Sequence, residues 1–266
     1  MQHCANKNGQ WRKLSCIWLY LFFFISQTVS AQETDTNNLQ HWTVEAGIHI
    51  SKGKSVDNAF SAKTYTGNNP GASFSIQLSG KRSLHELRGY FSKGTLKLPA
   101  SVAENKLEQT YISADYAWLY KMNANVHSIL FKPGVGINVL YANRDYRNFI
   151  NNNEAFELAT SLSGIVEISY FFDKNPDGFS ISNRISIPVI SYLSQPVFGN
   201  ESMGDNSEVA SFSSFFRILN TLSLQKKISA NQKISLLYTW NYYQFRAEPE
   251  VKQVAHVVGF TYGYSF

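Results

Sequence analysis

The residues able to do chemistry in this 266-residue chain are few and scattered. Hydrolysis needs a base and an acid or nucleophile brought together, and metal binding needs paired histidine, cysteine or carboxylate spacing. His41, His49, His85, His127 and His256 fall in different segments without such pairing. No Asp-x-Asp or Asp-x-His spacing occurs beyond residue 31. The Gly-rich stretch "PGVGINVL" lies inside an apolar segment and does not read as a phosphate loop. No cofactor is expected. What remains is a set of solitary charges in otherwise uncharged segments: Glu45, Glu86, Arg88, Asp115, Lys132, Glu167 and Arg184. Such charges can select ions, relay protons or pair with one another, and which they do depends on where the backbone puts them.

The elements that must position them have a period of two. From residue 41 onward large apolar or aromatic side chains alternate with small or polar ones, the mark of a strand with two unlike faces. Ten strands are expected: 41–52, 72–80, 84–96, 107–121, 127–144, 157–172, 179–192, 212–226, 232–245 and 251–266. Connections after odd strands are mostly long ("GKSVDNAFSAKTYTGNNPG", "KLPASVAENK", "DYRNFINNNEA", "SQPVFGNESMGDNSEVA"), and those after even strands are tight ("GKRS", "MNANV", "DKNPDG", "KISANQ"). Strands of about ten residues, short turns at one end and long loops at the other are the pattern of a transmembrane β-barrel. Aromatics make up 15% of the chain and charged residues 16%, well short of the roughly 25% charge of a soluble domain. A soluble sandwich or barrel would solvate its polar face. Here that face is rich in Gly, Ser, Ala and Thr, which suits a crowded interior. Trp42, Tyr116, Trp118, Tyr120, Tyr170 and Phe179 fall toward one rim and Tyr141, Trp240 and Tyr242 toward the other, as two girdles. The fold class is therefore an all-β, ten-stranded antiparallel transmembrane β-barrel, with eight strands as one alternative and twelve, if "FSAKTYTG" forms its own hairpin, as the other. Pro133 and Pro188 interrupt strands and predict a bulge near each.

Residues 1–31 read as a signal peptide: Lys7, Arg12 and Lys13, then the apolar run 16–25, then Val29-Ser30-Ala31. That run is too short for a membrane helix of about 20 residues. Residues 32–266 form the single barrel domain. Three of the 24 basic residues and none of the 19 acidic ones precede residue 32, so the net charge falls from +5 to +2; no nucleic-acid partner is indicated. Cys4 and Cys16 leave with the signal, so no disulfide framework is expected.

The signal, the loop asymmetry and the terminal comb Phe260, Tyr262, Tyr264, Phe266 together resemble bacterial outer-membrane β-barrel proteins, and the polar N-terminus with Asn/Tyr-rich loops is similar to small barrels of Bacteroidota. The resemblance implies residence in the outer membrane as a monomer, contact with its lipid, both termini on the periplasmic side, passage by periplasmic chaperones, and reading of the comb by the barrel-assembly machinery. It also brings enzymatic alternatives. Omptin-like proteases have ten strands and need acid and His–Asp pairs at the rim; here the rim offers His49, Asp145, Glu201, Asp205 and Glu208. Lipid-modifying barrels need an outward Ser/His/acid set; His256 is outward, with Gln244 expected beside it and no serine.

Counted from the turn end, Glu45, Arg88, Asp115, Lys132, Glu167 and Arg184 all lie four to six residues in. Strands are ~4.8 Å apart, so alternating signs on the strands from 84–96 to 179–192 predict a lateral ion-pair belt, with Glu45 and Glu86 closing its ends. Balanced signs favour a plug over an ion filter. The expected function is an integral, narrow or plugged outer-membrane barrel with a structural, surface-interaction or small-solute role. An antiparallel seam between 251–266 and 41–52 should close it.

Overall fold

A computed structural model describes residues 40–58, 61–98, 106–123, 128–146, 154–172, 178–194, 207–246 and 250–266. The expected signal peptide, the 32–38 lead-in, His127, Glu201 and Asp205 lie outside the described residues. Twelve strands follow in chain order: β1 His41–Asp57, β2 Ser61–Ser79, β3 Ser83–Lys97, β4 Lys106–Tyr120, β5 Met122–Asn123, β6 Ile129–Tyr146, β7 Glu154–Phe171, β8 Phe179–Ser194, β9 Ser207–Ala210, β10 Phe215–Lys227, β11 Gln232–Phe245 and β12 Val251–Ser265. Ten of them form the wall. Each pairs antiparallel with the next, β8 pairs directly with β10, and β12 returns to β1. The two short pieces only lengthen existing ladders: β5 pairs with the start of β6, and β9 pairs with the last residues of β8. The wall is a closed ten-stranded barrel, not one of eight or twelve.

The seam runs from Thr43↔Ser265 to Asp57↔Val251 without a break. Phe266 extends it: its amide donates to the Trp42 carbonyl at 3.0 Å and its carbonyl accepts from the Trp42 amide at 3.2 Å.

Side chains divide by parity. The buried set is largely polar, including Thr43, Glu45, Ser75, Glu86, Ser113, Asp115, Asn138, Ser161, Glu167, Arg184, Arg217 and Thr239, whereas the exposed set is made of large apolar side chains such as Ile48 (73% exposed), Phe74, Ile112, Val135, Leu162, Ile185, Leu236 and Phe260. Apolar surface in water is unfavourable by ~25 cal/mol per Å². A wall that presents this face outward all round the barrel is built for hydrocarbon. Among the described residues no helix is long and apolar enough to cross a membrane; the strands do it.

Two sequence expectations change and a third holds. Residues 53–71, read as a long loop, are mostly strand: β1 continues to Asp57 and β2 starts at Ser61. The run of Gly67, Asn68, Asn69, Pro70 and Gly71 suggests turns, but ladders on both sides outvote local preference. Pro70 is tolerated because the β2–β3 register skips from Asn68↔Thr95 to Gly71↔Ser92, so no donor is missed there. The bulge expected near Pro188 is present: Leu162 and Ser163 face Ile190 and Pro188, leaving Val189 extra, and Val189 and Ile190 are both outward. The bulge expected near Pro133 is absent, since β6 runs past Val166 in unbroken register. On its other side, β4 stops at Leu119↔Gly134 and β5 resumes at Met122↔Phe131. Pro133 sits in that gap, where an N–H would have no ladder partner.

Candidate functional site: the barrel lumen

Every large inward side chain must find room and partners within a ring of ten strands. Toward the end closed by the tight turns, five charges meet. Arg88 Nε donates to Glu86 Oε1 at 2.7 Å, Arg184 reaches Glu86 Oε2 at 2.6 Å and also pairs with Glu167, and Lys132 Nζ binds Glu167 Oε1 at 2.5 Å. Arg184 Nε donates a second bond to Glu167 at 2.7 Å. The chain of contacts Arg88–Glu86–Arg184–Glu167–Lys132 alternates in sign. One of its links is not lateral. β3 and β8 are separated by three strands one way and five the other, so Glu86–Arg184 spans the bore. The lateral expectation missed this because it placed Glu86 at an end of the belt, whereas Glu86 links Arg88 to Arg184 of the far wall.

Two expected members stand elsewhere. Asp115 faces Arg88 in register, yet makes no ion pair: Asn138 Nδ2 donates to its Oδ1 at 2.7 Å, and Ser163 binds the Asn138 carbonyl oxygen. Arg88 turns along its own strand toward Glu86, which satisfies it without reaching Asp115. Glu45 pairs with Lys233 of β11, a partner not anticipated, and accepts from Thr261 at 3.2 Å. Gln77 ties it to the belt, donating to Glu45 at 3.3 Å and to Glu86 at 2.7 Å.

Above the belt, mainly polar groups, with two arginines and a glutamate among them, cross the bore. Tyr111 of β4 accepts from Asn241 of β11 at 2.9 Å and from Arg217 of β10 at 3.3 Å. Gln109 of β4 donates to Gln253 of β12 at 2.8 Å and accepts from Asn69 at 3.1 Å. Tyr243 donates to Gln253 at 2.6 Å and to Glu157 of β7 at 3.0 Å. Arg144, fully buried, pairs with Glu157 and reaches Ser55 of β1 at 3.4 Å. Nearer the loops the filling turns apolar. Tyr65, Leu96, Leu98, Leu107, Tyr146 and Ala155 form one cluster, and Leu140, Leu193, Phe215, Tyr243, Phe245 and Val251 anchor another. These were missed at the sequence level; the signal that finds them is a large side chain in the inward register, whatever its polarity.

Two small voids remain along the β1–β3 and β10–β12 wall. In the upper one, lined by His49, Asn69, Tyr90, Gln109, Asn241 and Gln253 among others, the centres of water-sized molecules have about 40 Å³ of room, and in the lower one, beside Glu45, Gln77, Glu86 and Arg88, about 30 Å³. A water needs ~10–15 Å³ by this measure, so each has room for a few waters.

The rim candidates among the described residues, His49, Asp145 and Glu208, lie on three different strands. His49 lies inside the bore against Tyr90, ring centroids 6.2 Å apart, far along β1 from the loops. Asp145 closes β6 and Glu208 lies on β9. His256 is outward, but its registered neighbour on β11 is Trp240, not Gln244, and its Nδ1 shares a hydrogen bond of 2.8 Å with the hydroxyl of Tyr238. Among the described residues no group of three His, Cys, Asp or Glu is arranged to hold a metal ion. The comb Phe260, Tyr262, Tyr264 and Phe266 is outward throughout, 43–65% exposed, with Tyr264 opposite Val44 and Tyr262 opposite Ala46.

No protein-family model and no curated protein matches the chain. Solved structures do. The chain is similar to the outer membrane protease OmpT from Escherichia coli at 7% identity, covering 89% of this chain and 99% of that one with a TM-score of 0.54. It also aligns with Ail, the attachment invasion locus protein of Yersinia pestis (10% identity, 85% and 98% covered, TM-score 0.36), and with neisserial surface protein A (10%, 83% and 95%, 0.35). At such identities the likeness is one of fold. The chain has the closed antiparallel barrel fold of the bacterial outer-membrane protease it aligns with.

Proposed function

We propose that this protein is a closed, non-conducting barrel whose role is structural or a matter of surface interaction, not transport. The observation that carries this reading is the set of contacts crossing the bore at successive levels: Glu86–Arg184, Tyr111–Asn241, Gln109–Gln253 and Arg144–Ser55. Each joins opposite walls, and the two voids beside them have room for a few waters each. Counting Asp115 at the same level, three cations (Arg88, Lys132, Arg184) meet three carboxylates (Glu86, Asp115, Glu167), so the belt lacks the excess of one sign that an ion-selective constriction uses. In this reading residues 1–31 direct export from a Gram-negative cell and are removed. The barrel-assembly machinery engages Phe260, Tyr262, Tyr264 and Phe266 after periplasmic chaperones deliver the chain. The tight turns and both termini face the periplasm, the long connections face outward, and the barrel works as a monomer in contact with outer-membrane lipid. The test is reconstitution into planar lipid bilayers. The expected result is a flat baseline across the applied voltages; steady, reproducible conductance steps from the purified protein would overturn the closed-barrel reading.

A further inference from the structure

The outer wall is not uniform around its circumference. On β1 the outward column reads Trp42, Val44, Ala46, Ile48, Ile50 and then Lys52 and Lys54; on β3 it reads Leu87, Gly89, Phe91 and then Lys93, Thr95 and Lys97. Register places these on shared levels. Thr66 of β2 faces both Lys54 of β1 and Lys97 of β3, and Lys97 faces Lys106 of β4. One row of the outer wall is therefore Lys54, Thr66, Lys97, Lys106, with all three lysines exposed. The row beneath is Lys52, Asn68, Thr95, Glu108. On the other side of β1 the same level carries no lysine: Lys54 faces Val254 of β12, which faces Tyr242 of β11, which faces Ile218 of β10.

Like charges directly opposite on neighbouring strands destabilise a sheet, yet Lys97 and Lys106 occupy such a pair. None of Lys54, Lys97 and Lys106 has an acidic partner among the described residues. Adjacent strands lie ~4.8 Å apart, so three flexible ammonium groups within two to three strand spacings can converge on one multiply charged anion. Their height selects its source. The basic columns begin directly above Ile50 and Phe91, which are half exposed, with Lys52 and Lys93, and the row stands one outward position higher on β1 and two higher on β3. That is the level of lipid headgroups, where basic side chains gain from headgroup charge, and the aliphatic stems of lysine lie comfortably along the acyl boundary.

We propose that Lys54, Lys97 and Lys106 form a binding site for the phosphate of a phosphorylated glycolipid of the outer leaflet, with Thr66 as a hydroxyl donor between them and the apolar columns of β1–β3 beneath its acyl chains. The site rests on the orientation given above, in which the long connections face outward. It makes one side of the barrel lipid-specific and leaves the β10–β12 side to fluid lipid.

The experiment uses the full barrel in phosphatidylcholine vesicles doped with bisphosphorylated lipid A, dephosphorylated lipid A or phosphatidylglycerol, followed by native mass spectrometry of the extracted protein. Retention of the bisphosphorylated form should exceed that of the other two by about tenfold. The triple variant Lys54→Gln, Lys97→Gln, Lys106→Gln should lose that preference while keeping the heat-modifiable migration of a folded barrel, and the triple Arg variant should keep it. Equal retention of all three lipids, an unchanged preference in the Gln variant, or displacement of the lipid by inorganic phosphate would each overturn the proposal. Orientation is checked separately: a membrane-impermeant amine reagent applied to intact cells should label Lys54. Failure there refutes the outward-loop reading and the choice of an outer-leaflet source, whatever the vesicles show about phosphate.

Discussion

Between β3 and β8, near the tight turns, the bore is spanned by charges; between β4, β6 and β11, nearer the long connections, it is spanned by rings and aliphatic side chains. Both regions solve one problem, filling a hole in a membrane, with opposite chemistry. The difference lies in what each demands of geometry. A buried charge needs a partner in a specific place, because an unpaired one costs several kcal/mol. A buried Leu needs only volume. The belt therefore fixes which strand stands opposite which, through Glu86 and Arg184, while the apolar clusters seal the bore with little say in register. The contrast can be broken or sharpened by deleting one member at a time.

The largest effect is expected where the belt crosses the bore. Glu86 is 1% exposed and holds Arg88, Arg184 and Gln77 at once. Glu86→Ala strands the Arg88 guanidinium and leaves Arg184 to Glu167 alone, and should lower stability by ~3–5 kcal/mol, read as a shift in the urea unfolding midpoint in lipid vesicles. A shift of less than a third of that would mean that water, not Glu86, satisfies the arginines. Leu107 serves as the matched probe of the apolar filling. It is fully buried among Tyr65, Leu96 and Tyr146. Leu107→Ala should cost about 2–4 kcal/mol through lost contact and a residual cavity, and should leave bilayer conductance flat, because the belt below it still closes the bore. Conductance steps in Leu107→Ala would place the seal at the loop end instead.

The two regions also differed in how readable they were. Alternation announced the wall, and ten of its strands, the β1–β12 seam and the inward position of all seven charges follow from parity alone. A solitary charge in an apolar segment is conspicuous, so the belt's members stood out. Their partners did not. Parity gives the face and approximate level of a side chain but says nothing about what lies across a bore, and Arg184 finds Glu86 only because the ring closes at ten. Lys233 of β11 was passed over for a related reason: it sits two residues into its strand and reads as a turn residue until Glu45 appears beside it. The apolar filling was least legible. Leu107, Tyr146, Phe215 and Phe245 are inward residues at strand ends, where a large apolar side chain is as easily read as a girdle. The extended hairpin of β1 and β2 was hidden by turn-forming residues whose local preference the two flanking ladders override.

Asp115 separates the two regions most finely, and it carries the smallest expected effect. It lies at the belt's level and is 8% exposed, yet it belongs to neither filling: Asn138 holds one oxygen, and the other has no partner among the described residues. If charge at this level were stabilising in itself, removing it should cost as much as at Glu86. If the belt stabilises only through specific pairing, Asp115→Asn should be close to neutral. The substitution keeps the side-chain shape and the acceptor for Asn138, and it removes a buried charge without stranding a cation, since Arg88 is already satisfied by Glu86. The expected change is within about 1 kcal/mol, of either sign, measured by the same urea midpoint as Glu86→Ala. A loss approaching that of Glu86→Ala would show that Asp115 shares the belt's cations after all. The stabilising unit would then be the whole ring of charge at that level, and not the bridge from β3 to β8.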